Sequence, residues 1–158
     1  MIYYGDEVGM WGADDPHCRK PMIWDDLEYE SEIVNEKSGF KSGFGAYTVE
    51  QNKGLLKFYK EIIDIRNNNE QLKTGTIKFI YSDNDKKAFA FESVLADKKT
   101  ICIFNLGENE LVKSFEFPLT ELYILKNNFN SEEVHTSYYK PNEPILISAK
   151  SFGVFNTK

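Results

Sequence analysis

The sequence predicts a mainly β fold: an antiparallel β-sandwich of Greek-key type over residues 71–158, preceded over residues 1–70 by one strand, a long loop and one helix. Three observations carry this. From about residue 72, apolar and polar residues alternate with period two in short runs, the mark of half-buried strands. Polar turn clusters such as Ser82-Asp83-Asn84-Asp85 and Asp97-Lys98-Lys99 separate those runs at sandwich-like spacing. Before residue 72 the sustained period is helical, between Leu55 and Arg66.

Taken in order, Ile2-Tyr3-Tyr4 is a short apolar run ending in Gly5 and the acids Asp6 and Glu7. It reads as a buried parallel strand, with a turn through residue 12, whose C-terminal end opens onto a site. Residues 13–47 read as an irregular loop, broken by Asp15-Pro16, Lys20-Pro21, Ser38-Gly39, Ser42-Gly43 and Gly45. Loops longer than about 15 residues are uncommon unless they serve a function or lack order. Trp11, Arg19, Trp24 and several acids in and beside this one point to function. Thr48 and Gln51 fit a capping box, which starts a helix whose stripe is Leu55, Tyr59, Ile62 and Arg66. Leu56, Phe58 and Ile63 widen that stripe, and Asn67-Asn68-Asn69 should end the helix. Strands are then expected at residues 77–81, 89–91, 101–105, 111–117, 122–125, 134–139, 145–148 and 152–155. Most of the aromatic residues fall in these runs, so they read as sandwich core.

Composition bounds the function. The chain has 158 residues, enough for one ordinary domain and short of the about 250 that a complete (β/α)8 barrel takes. A net charge of −6 argues against nucleic acid or an anionic membrane as partner. No apolar run approaches the ~20 residues of a membrane-spanning helix, and Met1-Ile2-Tyr3-Tyr4-Gly5 lacks the features of a signal peptide. Cys18 and Cys102 read as two free thiols rather than a disulfide framework.

The segment Tyr3-Tyr4-Gly5-Asp6-Glu7-Val8-Gly9-Met10, followed by Asp15-Pro16-His17-Cys18-Arg19-Lys20-Pro21-Met22, resembles the last barrel strand and following loop of the α-amylase family of glycoside hydrolases. The likeness is to its neopullulanases and cyclomaltodextrinases, which carry the same Asp-Pro-x-x-Arg-x-Pro-Met pattern. The resemblance implies that residues 1–70 are the end of a (β/α)8 barrel and residues 71–158 a C-terminal β-sandwich. It also implies a longer parent, a retaining glycosidase acting on maltodextrins, starch, pullulan or cyclodextrins. The partners it implies are an α-glucan or maltooligosaccharide and the N-terminal barrel, and a bacterial periplasmic or cytoplasmic setting is expected. No cofactor or metal is implied.

Glycoside hydrolysis normally takes two carboxylates flanking the scissile bond. The acid pairs Asp6-Glu7, Asp14-Asp15 and Asp25-Asp26 cannot be assumed to straddle a substrate. By the resemblance the catalytic carboxylates lie on earlier barrel strands. No residue of this chain is therefore assigned a catalytic role, and the chain alone is expected to be inactive.

Asp15 and Arg19 are the candidate sugar contacts, by the resemblance to glucose units on the non-reducing side, because Arg donates to vicinal hydroxyls and a carboxylate accepts from them. The alternative is an Asp15–Arg19 salt bridge that shapes the loop. Trp11 is the third substrate-binding candidate; Trp11 and Trp24 either stack on sugar faces or anchor the loop. His17 and His135 have no acid–base partner in the sequence, Cys18 has no evident activating base, and Asp83-Asn84-Asp85 reads as a hairpin turn rather than a calcium loop. Two other functions stand beside the glycosidase reading: a non-catalytic carbohydrate-binding module, and a purely structural sandwich. A lone barrel strand has no ladder partners, so residues 1–12 should pair in a non-native way, join another copy or stay loosely ordered. Self-association of the chain is a further expectation.

Overall fold

The computed structural model describes residues 2–12, 15, 17–38, 43–124 and 137–157, the side chains of residues 17 and 38 excepted. The chain divides into two compact units, Met1–Lys60 and Glu61–Lys158.

In the first unit no strand forms among the described residues 2–12, where a strand and turn are expected. Asp6–Val8 form a 3-10 turn instead, between Gly5 at φ 90° and Gly9 at φ 69°. Among the described residues nothing offers this segment a ladder, so its backbone groups are satisfied locally. The N–H groups of Val8 and Met10 both donate to the Gly5 carbonyl, at 3.2 and 3.0 Å. The carboxylates of Asp6 and Glu7 accept from the N–H groups of Tyr3 and Gly5, at 3.3 and 3.0 Å. At φ 90° an L side chain on Gly5 would be strained, so the turn favours glycine there. The turn buries Val8.

The expected loop over residues 13–47 holds structure of its own. Strands β1 (Glu32–Val34) and β2 (Gly45–Tyr47) pair antiparallel, with Ile33 opposite Ala46. The chain then runs extended to helix α1 (Lys53–Asn67). Its N-cap is not Thr48: the Leu55 N–H donates to Asn52 Oδ1 at 2.9 Å. Gln51 precedes the helix rather than standing in its first turn, and its side-chain Nε2 donates to the Ile23 carbonyl at 2.7 Å. Asn52 is itself held in place by its N–H, which donates to the Val8 carbonyl at 3.0 Å. The helix stops within the Asn67-Asn68-Asn69 run, as the sequence predicts.

The second unit begins in the last turns of α1 and continues into a short helix, α2 (Glu70–Thr74), that the sequence reading missed. Asn69, expected only to terminate α1, is buried, and Thr100 Oγ1 donates to its Oδ1 at 3.0 Å. Then come β3 (Thr76–Asp83), β4 (Ala88–Leu95), β5 (Lys98–Asn105), β6 (Leu111–Lys113), β7 (Leu119–Ile124), β8 (Tyr138–Tyr139), β9 (Ile145–Ile147) and β10 (Ser151–Thr157). Six of these form one antiparallel sheet in the order β3-β4-β5-β10-β7-β8, and β6 pairs with β9 in the second. β10 returns from the second sheet to lie between β5 and β7, a Greek-key return. Of the expected strand over residues 134–139, residues 134–136 lie outside the described residues, as does residue 125.

The two faces of the large sheet divide the apolar residues in a way the sequence reading did not foresee. The inner face carries Ala88, Ala90, Ile101, Ile103, Leu119 and Phe155, which meet Leu111, Ile145 and Ile147 of the second sheet. Most aromatic side chains point the other way. Phe89, Phe104, Phe152 and Tyr123 form a file across β4, β5, β10 and β7, with ring centroids 4.7, 5.5 and 5.6 Å apart. Small alanines on β4 keep the sheets close, while strict alternation sends their phenylalanine neighbours to the outer face. Cys102, Tyr123 and Val154 are buried on that face, where Ile65 and Leu72 pack against them. Burial pushes the Cys102 thiol up to about 12.

Candidate functional site

The loop residues singled out from the sequence all belong to the first unit. Asp15 and Arg19 are brought together by a 3-10 turn at His17–Arg19, which closes their four-residue spacing. Arg19 Nη2 lies 2.6 Å from Asp15 Oδ2 and 2.5 Å from Oδ1. Both side chains stay open to solvent, at 62% and 64% exposure, so donors of the guanidinium and lone pairs of the carboxylate remain available to a ligand. Cys18 Sγ lies 3.8 Å from Asp15 Oδ1. Trp11 and Trp24 are both exposed rather than buried anchors. The Trp11 ring packs tilted on Tyr47 at 4.7 Å, and the Trp24 N–H donates to the Tyr29 hydroxyl at 2.6 Å. Asp6 and Glu7 serve their own turn. The His17 side chain and all of His135 lie outside the described residues. Asp83 Oδ1 accepts from the Lys86 N–H at 3.0 Å, which holds its carboxyl below the usual range and makes it a turn residue, as expected.

Beside Trp11 is a cavity of about 220 Å³, walled by Met10, Pro21, Ile23, Tyr29 and Val49 and lined by Lys20, Glu30 and Glu32. Lys20 Nζ lies 2.5 Å from Glu32 Oε2, with both side chains largely buried. Sequence reading did not find Lys20 or Glu32: they are twelve residues apart, and the pair exists only because β1 folds back along the loop. Hydrogen bonds fix the walls. Tyr4 donates to the Lys20 carbonyl at 2.8 Å, and Gln51 to the Ile23 carbonyl at 2.7 Å.

The cysteines give a direct check on this geometry. Cys18 is exposed and Cys102 buried, both as free thiols. With an aromatic disulfide reagent near pH 8 the native chain should release one equivalent quickly. The second should appear only on unfolding, since Cys102 has almost no thiolate and no access. Two fast equivalents would contradict the burial of Cys102.

No protein-family model matches the chain. It is 34% identical over 113 residues to neopullulanase 2 of Thermoactinomyces vulgaris, an alignment covering 71% of this chain and 16% of that protein. It is 32% identical over 146 residues to a cyclomaltodextrinase of Thermoanaerobacter pseudethanolicus, covering 92% and 21%. The fold matches the crystal structure of an α-amylase from H. orenii, with TM-score 0.62 and 22% identity over 99% of this chain and 32% of that one. An α-amylase from Geobacillus thermoleovorans matches with TM-score 0.66 and 14% identity, over 99% and 29%. The chain belongs to the α-amylase family, alongside its neopullulanases, cyclomaltodextrinases and maltogenic amylases. It spans about a fifth of the length of the curated relatives it matches.

Proposed function

We propose that this chain is the C-terminal part of a retaining glycosidase that hydrolyses α-glucosidic bonds of maltodextrins or related glucans. In this reading the chain supplies substrate contacts and a stabilising sandwich, and the catalytic carboxylates come from a preceding barrel. The domain division follows: residues 1–70 complete the barrel, and residues 71–158 form the sandwich. The observation that carries the reading is the exposed Asp15–Arg19 pair in a chain related to cyclodextrin- and pullulan-acting enzymes. Asp15, Arg19 and Trp11 are the proposed substrate contacts.

The aromatic file favours a structural sandwich over a free-standing carbohydrate-binding module. Sugar stacking needs an open ring face. Phe89 and Phe104 lie ring against ring with an interplanar angle of 11°, so those faces are spent on each other. Edges of that kind suit packing against protein, which is the role proposed for this face toward the barrel.

The direct test is the coding sequence upstream of Met1. A barrel with paired carboxylates there supports the proposal, and an independent gene start at Met1 overturns it. In the longer enzyme, Arg19→Ala should raise KM for maltodextrin about tenfold, the loss of hydrogen bonds from a charged donor. Its melting temperature should hardly move, since an exposed ion pair contributes about 0.5 kcal/mol. The 158-residue chain by itself should release no reducing sugar from maltodextrin.

A further inference from the structure

We propose that the cavity beside Trp11 is a pocket for one neutral pyranose unit, separate from the Asp15–Arg19 pair. The inference rests on the glucan reading above for its ligand class, and on four features of the cavity for its place.

First, the size fits. About 220 Å³ is below the roughly 300–1,000 Å³ of sites for larger organic ligands, and it suits a single ring. Second, the walls have the required character. Trp11 and Tyr29 supply aromatic surface and Met10 and Ile23 aliphatic surface, which match the C–H faces of a sugar ring. Third, the lining offers acceptors held in place. The Lys20 Nζ is buried 2.5 Å from Glu32 Oε2, so it fixes that carboxylate rather than meeting a ligand itself. A carboxylate has several lone pairs, so the oxygens of Glu32 and Glu30 can accept from neighbouring sugar hydroxyls. Fourth, the charge excludes an anionic ligand. Lys20 offsets Glu32, and Glu30 leaves the lining negative, so a phosphorylated or acidic sugar would be repelled. Neither Asp15 nor Arg19 lines the cavity, and their pair is exposed where Lys20 and Glu32 are largely buried.

Maltotriose titrated into the 15N-labelled 158-residue chain tests this, with the Trp11 indole and Arg19 guanidinium N–H signals followed together. The proposal expects a saturable shift at Trp11. Lys20→Met should weaken it at least about tenfold. Val49→Phe, which fills the cavity and keeps both charges, should abolish it. The Val49→Phe arm guards against the chance that Lys20→Met unfolds the loop by stranding Glu32. A Trp11 shift that survives Val49→Phe overturns the pocket, as does the absence of any saturable Trp11 shift. If Arg19 responds while Trp11 does not, the pocket fails and the glucan reading stands. If neither responds, the pocket fails, and the glucan reading is left to the upstream coding sequence.

Discussion

Replacing Asn105 with alanine should destabilise the sandwich by about 3–5 kcal/mol, the cost of stranding several buried polar groups at once. Asn105 ends β5 with 1% of its surface exposed. Its Nδ2 donates toward the carbonyls of Asn109, Ile147 and Ser148, at 2.8, 3.0 and 2.9 Å. Its Oδ1 accepts from the Gly107 N–H at 3.1 Å. Two amide hydrogens are thus shared among three carbonyl oxygens, and one side chain ties β5 of the large sheet to the end of β9 in the small one. Alanine leaves these groups without their partner, the Ile147 carbonyl and the Gly107 N–H in buried surroundings. Asn105→Asp is the sharper variant: it keeps the shape and the acceptor but turns a carboxylate oxygen toward three carbonyls. It should therefore cost at least as much as alanine at pH 7 and regain part of the loss on acidification, when the protonated acid can donate again. Urea denaturation followed by circular dichroism checks both. A cost for Asn105→Ala under about 1 kcal/mol would mean the network is replaceable by water.

What was legible in the sequence follows from which forces are local. The strands could be read because alternation is a local consequence of the pleat: Ile77 and Phe79 about Lys78 is a period-two pattern that β3 declares by itself. Which face was the inside could not be read. Phe89 and Phe91 are larger than Ala88 and Ala90, so size alone points the wrong way; the narrow gap opposite β6 and β9 decides the matter, and those strands lie some 20 to 60 residues further on. The same division holds at the termini of elements. Asn67-Asn68-Asn69 stops α1 by local chemistry. The start of α1 lies past Thr48 because Asn52 caps it and is itself held by the distant Val8 carbonyl. The opening segment reads as a strand by local pattern, and the same reading expects it to lack its ladder; what it did not give is the local turn that replaces the strand. A strand is a property of two chains of backbone, and Tyr3-Tyr4-Gly5 has no second one among the described residues.

The candidate site divides along that line too. Asp15 and Arg19 were found because a four-residue spacing and a local turn suffice to join them, and the structure shows them as the ion pair that was the alternative to sugar contact. An exposed pair of this kind shapes the loop and still leaves donors free, so the two readings do not compete. Lys20 and Glu32 could not be found, since their meeting depends on the β1–β2 pairing that a loop reading denies.

The second large effect is expected at Gly153 and Phe155, where strain and packing are coupled. Phe155 is fully buried on the inner face, and its ring occupies the space that a side chain at Gly153 would need. A Cβ on Gly153 would stand 2.6 Å from Phe155 Cε2 and 2.9 Å from Ile147 Cδ1. Gly153→Ala should therefore cost about 2–3 kcal/mol by overpacking a core that cannot expand between two sheets. Phe155→Ala should cost about 3–5 kcal/mol from lost burial and the cavity left behind. Combined, the two changes should be less harmful than their sum by at least about 1 kcal/mol, because the new methyl enters the space the ring has vacated. Additivity within about 0.5 kcal/mol would show that the two sites do not touch, and would remove the steric reason for glycine at position 153. A double-mutant cycle by urea denaturation gives the answer, with Phe155→Leu as the milder partner if the alanine variant does not fold. The coupling should persist in the leucine series at reduced size, since leucine withdraws the Cε2 and Cζ atoms that the methyl would meet.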